Sequence, residues 1–479
     1  MQIISNITDL KIGMKFLIII SLVLLWELAV GFAIASSQIT LMIISLLPFL
    51  ILLVPYPLYI FIILILSFLL EGKYLFGLPG IGIKTFHVIL FFTFISYLIV
   101  RVTNNEKIFQ ARSLNLPLIL ILGWVFASFV WSPSITNGLS EFVRIFVGIL
   151  TFILAANICN SKKDCEIVIN ILMMIGVFLA IAYLISIHFK IGQIESTGET
   201  VRSYALGGPN VVGVLLVFVF MLMLGKFTST KRASLKVAMI PALSFMILGI
   251  FSVYSRGAIL GFITGTILFT FLYLRQKEKT IKMFLLFVTP AILICLIFLF
   301  GELIMEFISQ IAIIRKFLRT DVIAMLTKIK GRSAFWVEGF RMLGTNPISY
   351  IIGGGVGSYK TMALSTPEIF YYISYVGGKR TESYFIHAHS LFLSILFNFG
   401  IIGLILFGYF YIIIIKRVIK AFSVCSDPKN KMILIGFLAG LTGLYTHAFV
   451  EFGISEKTVF FLLGMAFMFS NTMYPEQSD

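Results

Sequence analysis

The sequence predicts an all-α polytopic membrane protein, and three observations carry that prediction. Of its 479 residues, 59% are hydrophobic and only 12% are charged, at a mean hydropathy of +1.05; a soluble fold cannot bury that much apolar surface. The apolar residues come in runs long enough to cross a bilayer, where a helix satisfies its own backbone hydrogen bonds. Lys and Arg gather in every second connection between those runs.

The runs fall at 12–33, 38–54, 56–70, 85–101, 115–131, 142–159, 166–188, 209–225, 236–253, 257–274, 281–300, 390–415, 432–450 and 456–472. They make about 14 transmembrane helices. The second and third are short and separated only by Pro55-Tyr56-Pro57; as a re-entrant hairpin they would leave about 12. The first run follows Lys11 and Lys15 and ends near Ala33-Ile34-Ala35, like a secretory signal, but the spans behind it favour a retained helix. The chain divides into an N-terminal helix bundle (1–300), a large loop (301–388) and C-terminal transmembrane helices (389–479).

Charge sets the orientation. Lys11, Lys15, Arg101, Lys107, Arg112, Lys162, Lys163, Lys226, Lys231, Arg232 and Lys236 fall on one side by parity, as do Arg275, Lys277, Lys279, Lys282 and the group Lys416 to Lys431. By the positive-inside rule that side is cytoplasmic, which puts both termini inside and 301–388 outside. The net charge of +16 then needs no nucleic acid, since much of it is this bias, which also suits anionic lipid. Cys159, Cys165 and Cys425 lie at or near the cytoplasmic face and Cys295 lies in a span, so no disulfide framework is expected. No Cys/His spacing suits a metal, and no cofactor is expected.

The large loop has its own pattern. Phe307, Ile311, Ile314, Leu318, Val322, Met325 and Ile329 recur at spacings of three and four, with Arg315, Lys316, Arg319, Lys328 and Lys330 among them. That is an amphipathic helix, either flat on the membrane boundary or packed as a lid on the bundle. A second helix over Ser333–Leu343 stops at Gly344-Thr345-Asn346-Pro347. Gly353-Gly354-Gly355-Val356-Gly357 follows; such a run can cradle phosphate but is more often a tight turn with close packing.

The candidate chemistry clusters on the outer side. Arg202 precedes Gly207-Gly208-Pro209-Asn210, which opens a helix. Arg256 sits in Ser255-Arg256-Gly257-Ala258 at the membrane edge, where a guanidinium is costly unless paired or solvated. It is also the group best shaped to hold phosphate through two bonds; snorkelling is the structural alternative. Arg332 opens the second loop helix and suits either anion binding or an interfacial role. His387-Ala388-His389-Ser390 ends the loop just before the apolar stretch Leu391–Ile415. Histidine is the side chain best suited to take a proton near neutral pH. Two positions apart on a helix, the two rings would point about 200° apart, so at most one should face a shared site. Glu27 and Glu451 are ionisable groups at membrane depth or edge, each either functional or the partner of an arginine.

In this order the residues resemble the bacterial O-antigen ligase/polymerase superfamily of polytopic membrane glycosyltransferases. Arg202 with Gly207 to Asn210 resembles the family's arginine-bearing outer loop, and Ser255-Arg256-Gly257 its Ser-Arg-Gly segment. Arg332, Trp336, Asn346-Pro347 and Gly355-Val356-Gly357-Ser358-Tyr359 resemble the large-loop pattern. His387-Ala388-His389-Ser390 with Gly400 and Gly403 resembles the His-x-His-Asn segment and its glycine-bearing helix, with Ser390 where many relatives have Asn. The likeness covers roughly 195–410.

The resemblance implies metal-independent glycosyl transfer on the outer face of the cytoplasmic membrane, with a glycan on undecaprenyl pyrophosphate as donor. Arg202, Arg256 and Arg332 would bind the donor, with His389, and His387 beside it, as candidate catalytic residues. The partners implied are the lipid-linked donor, a glycan acceptor, the bilayer, and a flippase or chain-length regulator. A polymerase extends a lipid-linked chain; a ligase moves a finished chain to another acceptor. The basic loop suits an acidic polymer such as a capsule or teichuronic-type glycan and favours the polymerase. A transporter or flippase is the alternative from another class, but transporters usually place polar groups mid-membrane and show repeated halves.

Overall fold

The computed structural model describes residues 50, 52–67, 74–78, 81–108, 112–189, 193–196, 200–203, 208–253, 255–276, 329–366, 371–376, 379–384, 387–451 and 456–474. The runs at 12–33 and 281–300, most of 38–54, Glu27, Cys295 and the amphipathic stretch from Phe307 to Lys328 lie outside the described residues. The choice between 14 and 12 spans rests partly on them.

Every predicted run on described residues is helical. Among those residues, nine helices are long and apolar enough to cross a membrane, and Pro57–Ser67 and Lys457–Met473 are shorter apolar helices. In chain order they are α1 (Pro57–Ser67), α2 (Thr85–Thr103), α3 (Arg112–Ala127, extended by a 3₁₀ turn Ser128–Trp131), α4 (Ile135–Asn157) and α5 (Lys162–His188). They continue as α6 (Pro209–Ser229), α7 (Ala233–Ser252) and α8 (Arg256–Arg275). The large loop holds α9 (Ile329–Gly344), α10 (Ile348–Ile352) and α11 (Ser358–Ser365). Then come α12 (Leu391–Val424), α13 (Pro428–Val450) and α14 (Lys457–Met473).

The chain is not helical throughout. Among the described residues, three antiparallel hairpins stand between helices: β1–β2 (Tyr74–Leu78, Ile81–Lys84), β3–β4 (Gln193–Ser196, Thr200–Ser203) and β5–β6 (Tyr371–Val376, Lys379–Tyr384). The sequence carried the turn signals, Pro79-Gly80 in the first and Gly377-Gly378 in the third, but strands of four to six residues are too short to outweigh their apolar surroundings. The strand β3 lies against β5.

Polar contacts sort the helix ends into two faces. On one, an Arg101 guanidinium nitrogen donates to the Asn157 carbonyl at 3.0 Å and the Asn160 side chain at 2.6 Å. On the same face Lys429 pairs with Glu166 at 2.8 Å and Arg417 reaches Asn471 at 2.7 Å. On the other, Ser132 donates to the Val356 carbonyl at 2.7 Å, Asn137 to Thr361 at 3.0 Å and Asn210 to Glu451 at 2.6 Å. The membrane interior is closed by small residues: a Cβ on Gly261 would lie 2.5 Å from the Gly443 carbonyl oxygen, so α8 and α13 touch backbone to backbone.

The helix α12 is broken where the sequence read one continuous span. Gly400 has φ 66° and ψ −165°, a conformation essentially reserved for glycine. The break frees carbonyls in the preceding turn, and each finds a donor from elsewhere. Gly354 N–H donates to Phe397 O at 2.9 Å, Gly355 N–H to Asn398 O at 3.0 Å and the Trp124 indole to Phe399 O at 3.1 Å. The glycine run is therefore a tight turn that caps a broken helix, and the N–H groups of Gly354 and Gly355 are not free to cradle phosphate.

Candidate functional site

The break leaves a short segment, Leu391–Phe399, standing on the second face, and the histidine turn lies at its start. Ser390 is the N-cap of α12: its Oγ accepts from Leu393 N–H at 3.4 Å. A serine thus does here what a capping asparagine would do. His389 is held at φ +49°, one of two non-glycine residues with positive φ among the described residues. The turn is clamped by the large loop. The Trp336 indole donates to the Ala388 carbonyl at 2.8 Å, and the Phe335 ring stacks on His389 at 5.9 Å and 27°. Tyr359 in turn holds Phe335 through its hydroxyl, which donates to the Phe335 carbonyl at 3.2 Å.

His389 Nδ1 lies 3.7 Å from the Glu451 carboxylate, an ion-pair distance and longer than a hydrogen bond. Glu451 is the C-cap of α13 and is buried. Asn210, in the first turn of α6, donates to the same carboxylate oxygen at 2.6 Å. One turn earlier on α13, the fully buried His447 has Nε2 3.4 Å from the hydroxyl of Ser255, which is the N-cap of α8. Gly257 admits this pair: a Cβ there would meet Glu451 Cγ at 2.8 Å and His447 Cδ2 at 2.9 Å. Arg256, half-buried, stands between Ser255 and Gly257 in the first turn of α8.

Three helix N-termini therefore converge on Glu451, those of α6, α8 and α12. Each brings the positive end of a helix dipole, an environment suited to anions. The cluster can accept a proton at His389 and stabilise negative charge beside Arg256. Arg202 lies on β4, in register with Ile194 of β3, and Arg332 lies in the first turn of α9; these are backbone positions. Among the described residues no three His, Cys, Asp or Glu side chains stand close enough to ligate a metal.

His387 faces elsewhere. It lines a small pocket with Glu141, Tyr359, Lys360, Ser394 and Asn398. Burial, with help from Arg144, His389 and Lys360, pulls the His387 imidazole from the usual 6.5 down to about 3. Lys360 is also lowered, by burial first and then by Arg144, against the pull of Glu141. Both histidines precede the helix rather than lying on it, and they have different surroundings.

Sequence reasoning gave no role to Asn210, Ser255 or His447. A signal for His447 existed: with Glu451 it forms an i, i+4 pair at the end of one apolar helix, so both face the same neighbour. Residues 241–408 match the family model described as O-antigen ligase, a segment that holds Arg256, Arg332, His387 and His389. No curated protein matches the chain.

Proposed function

We propose that this integral membrane chain, which matches the O-antigen ligase family model over residues 241–408, is a polysaccharide polymerase of the O-antigen ligase/polymerase superfamily, working on the outer face of the cytoplasmic membrane. The observation that carries this reading is the meeting of His389, Glu451 and the Arg256-bearing start of α8 at one helix-terminal cluster. The donor is a glycan on undecaprenyl pyrophosphate. Arg256, with Arg202 and Arg332 from neighbouring segments, holds the pyrophosphate. As the acceptor hydroxyl attacks the anomeric carbon, the bond from that carbon to the phosphate oxygen breaks. The leaving pyrophosphate keeps the electron pair, stabilised by fixed positive charge. The acceptor's proton passes to His389 Nε2. Glu451, fixed by Asn210, faces the ring on its Nδ1 side and leaves Nε2 for the acceptor.

Polymerase is favoured over ligase because the loop residues Arg315, Lys316, Arg319, Lys328 and Lys330 suit an acidic growing chain. A flippase and a chain-length regulator are the partners such an enzyme needs. The test uses purified protein in detergent with lipid-linked repeat units extracted from cells lacking it. Repeat units alone should give a ladder of products, because they act as donor and acceptor. Product only after addition of a lipid A core acceptor would indicate a ligase, and no product with either would sink the reading. His389→Ala should lower the rate about 10²–10⁴-fold with donor binding kept. Arg256→Ala should abolish transfer, and Arg256→Lys should rescue poorly because a point charge lacks the bidentate fork.

A further inference from the structure

The pocket under His387 is a second polar site on the same face, and its groups have unused bonding capacity. Its open space is about 10 Å³, room for a single water-sized group. Ser394 is buried, and its Oγ has no hydrogen-bond partner among the described residues. Glu141 is also buried; its nearest cation, Arg144, stands at 3.8 Å. Lys360 Nζ spends one bond on Ser140, at 3.3 Å, and has two protons left. Buried polar atoms in native folds are almost always satisfied, so the unsatisfied Ser394 hydroxyl, beside a space also lined by Glu141 and Lys360, marks the place of an absent group.

The donor set describes that group. It offers an acceptor in Glu141 and donors in Lys360 and Ser394, with opposite charges side by side. A free anion would be repelled by Glu141, and a cation by Lys360 and Arg144. A hydroxyl, which donates one bond and accepts others, satisfies both kinds. His387, which lines the pocket, lies two residues along the chain from His389, at most about 7 Å between backbone positions.

We propose that this pocket seats one hydroxyl of the acceptor sugar, donating to Glu141 and accepting from Lys360 or Ser394. It fixes which neighbouring hydroxyl is presented to His389. The proposal rests on the glycosyl-transfer reading above, and it names the pocket as the determinant of linkage position.

The experiment separates the two. The probe is glycan released by mild acid from the extracted lipid-linked repeat units, and its binding to the purified full chain is measured by equilibrium dialysis. Transfer is measured in parallel with the intact lipid-linked donor. Ser394→Ala and Glu141→Gln should each weaken glycan binding about tenfold or more and raise the KM for the repeat unit alike. Ser394→Ala removes an unsatisfied hydroxyl, so its thermal midpoint should stay level or rise; it decides the matter if Glu141→Gln fails to fold. Wild-type glycan affinity in Ser394→Ala would assign the pocket to a structural water and overturn the proposal, as would a wild-type chain that binds no released glycan. Weakened binding in the variants, with no transfer by the wild type, would instead keep the sugar site and remove the transferase reading.

Discussion

His387 and His389 are separated by one alanine, yet the left-handed backbone at His389 turns one ring toward Glu451 and leaves the other in the pocket beside Lys360. That difference is testable through pH. The native His387 stays neutral down to about 3, whereas an unfolded histidine takes up a proton near 6.5. Between those values the unfolded chain binds the extra proton, so stability rises with pH. The contribution is fully present above about 6.5 and is lost as pH falls toward 3. The thermal midpoint in detergent should therefore fall on acidification from pH 7 to 5, and His387→Gln should flatten that fall by on the order of 2 kcal/mol. An unchanged slope in the variant would place the ring in water. The residue types at the site were legible in the sequence, because arginine and histidine at a membrane edge need a reason. Their partners were not: Asn210 meets Glu451 across 241 residues, and no local pattern encodes such a pair.

At the scale of elements, the break in α12 separates the part that carries the candidate site from the part long enough to cross the membrane. Residues 401–424 make a helix of about 36 Å, enough for a bilayer, while the segment before Gly400 serves the site. A Cβ at Gly400 would lie 2.2 Å from the Ile351 carbonyl oxygen, and the backbone there suits glycine alone. Gly400→Ala should cost about 3 kcal/mol or more, measured as a lower thermal midpoint, and should cut transfer by moving the histidine turn. Gly408→Ala is the control: a Cβ there meets nothing within 4 Å, and an alanine in a helix should stabilise by up to about 1 kcal/mol. Equal stability in both variants would mean the break is not strained. Periodicity and length made the spanning helices legible. The break was not, because its cause lies in Gly353–Gly355, whose approach no window along α12 contains.

At the scale of the molecule, the positive-inside argument depends on charge alone, and the structure sorts the same residues by contact. Arg101, Glu166, Arg417 and Lys429 lie at one set of helix ends, and Ser132, Asn210, Ser255, His389 and Glu451 at the other. If the basic ends face the cytoplasm, the candidate site faces outward, where a flipped lipid-linked donor is presented. Ser365 and Ser426 mark the two faces and are both exposed; Ser358 cannot serve, since it is buried beside Asn398. With the four native cysteines replaced, Ser365→Cys should react with an impermeant maleimide in intact cells and Ser426→Cys only after permeabilisation. The reverse pattern would put His389 and Arg256 inside, on the side from which the donor has already been moved. A polymerase of flipped repeat units could not work there, so that result would overturn the proposed function even if every contact in the site were correct.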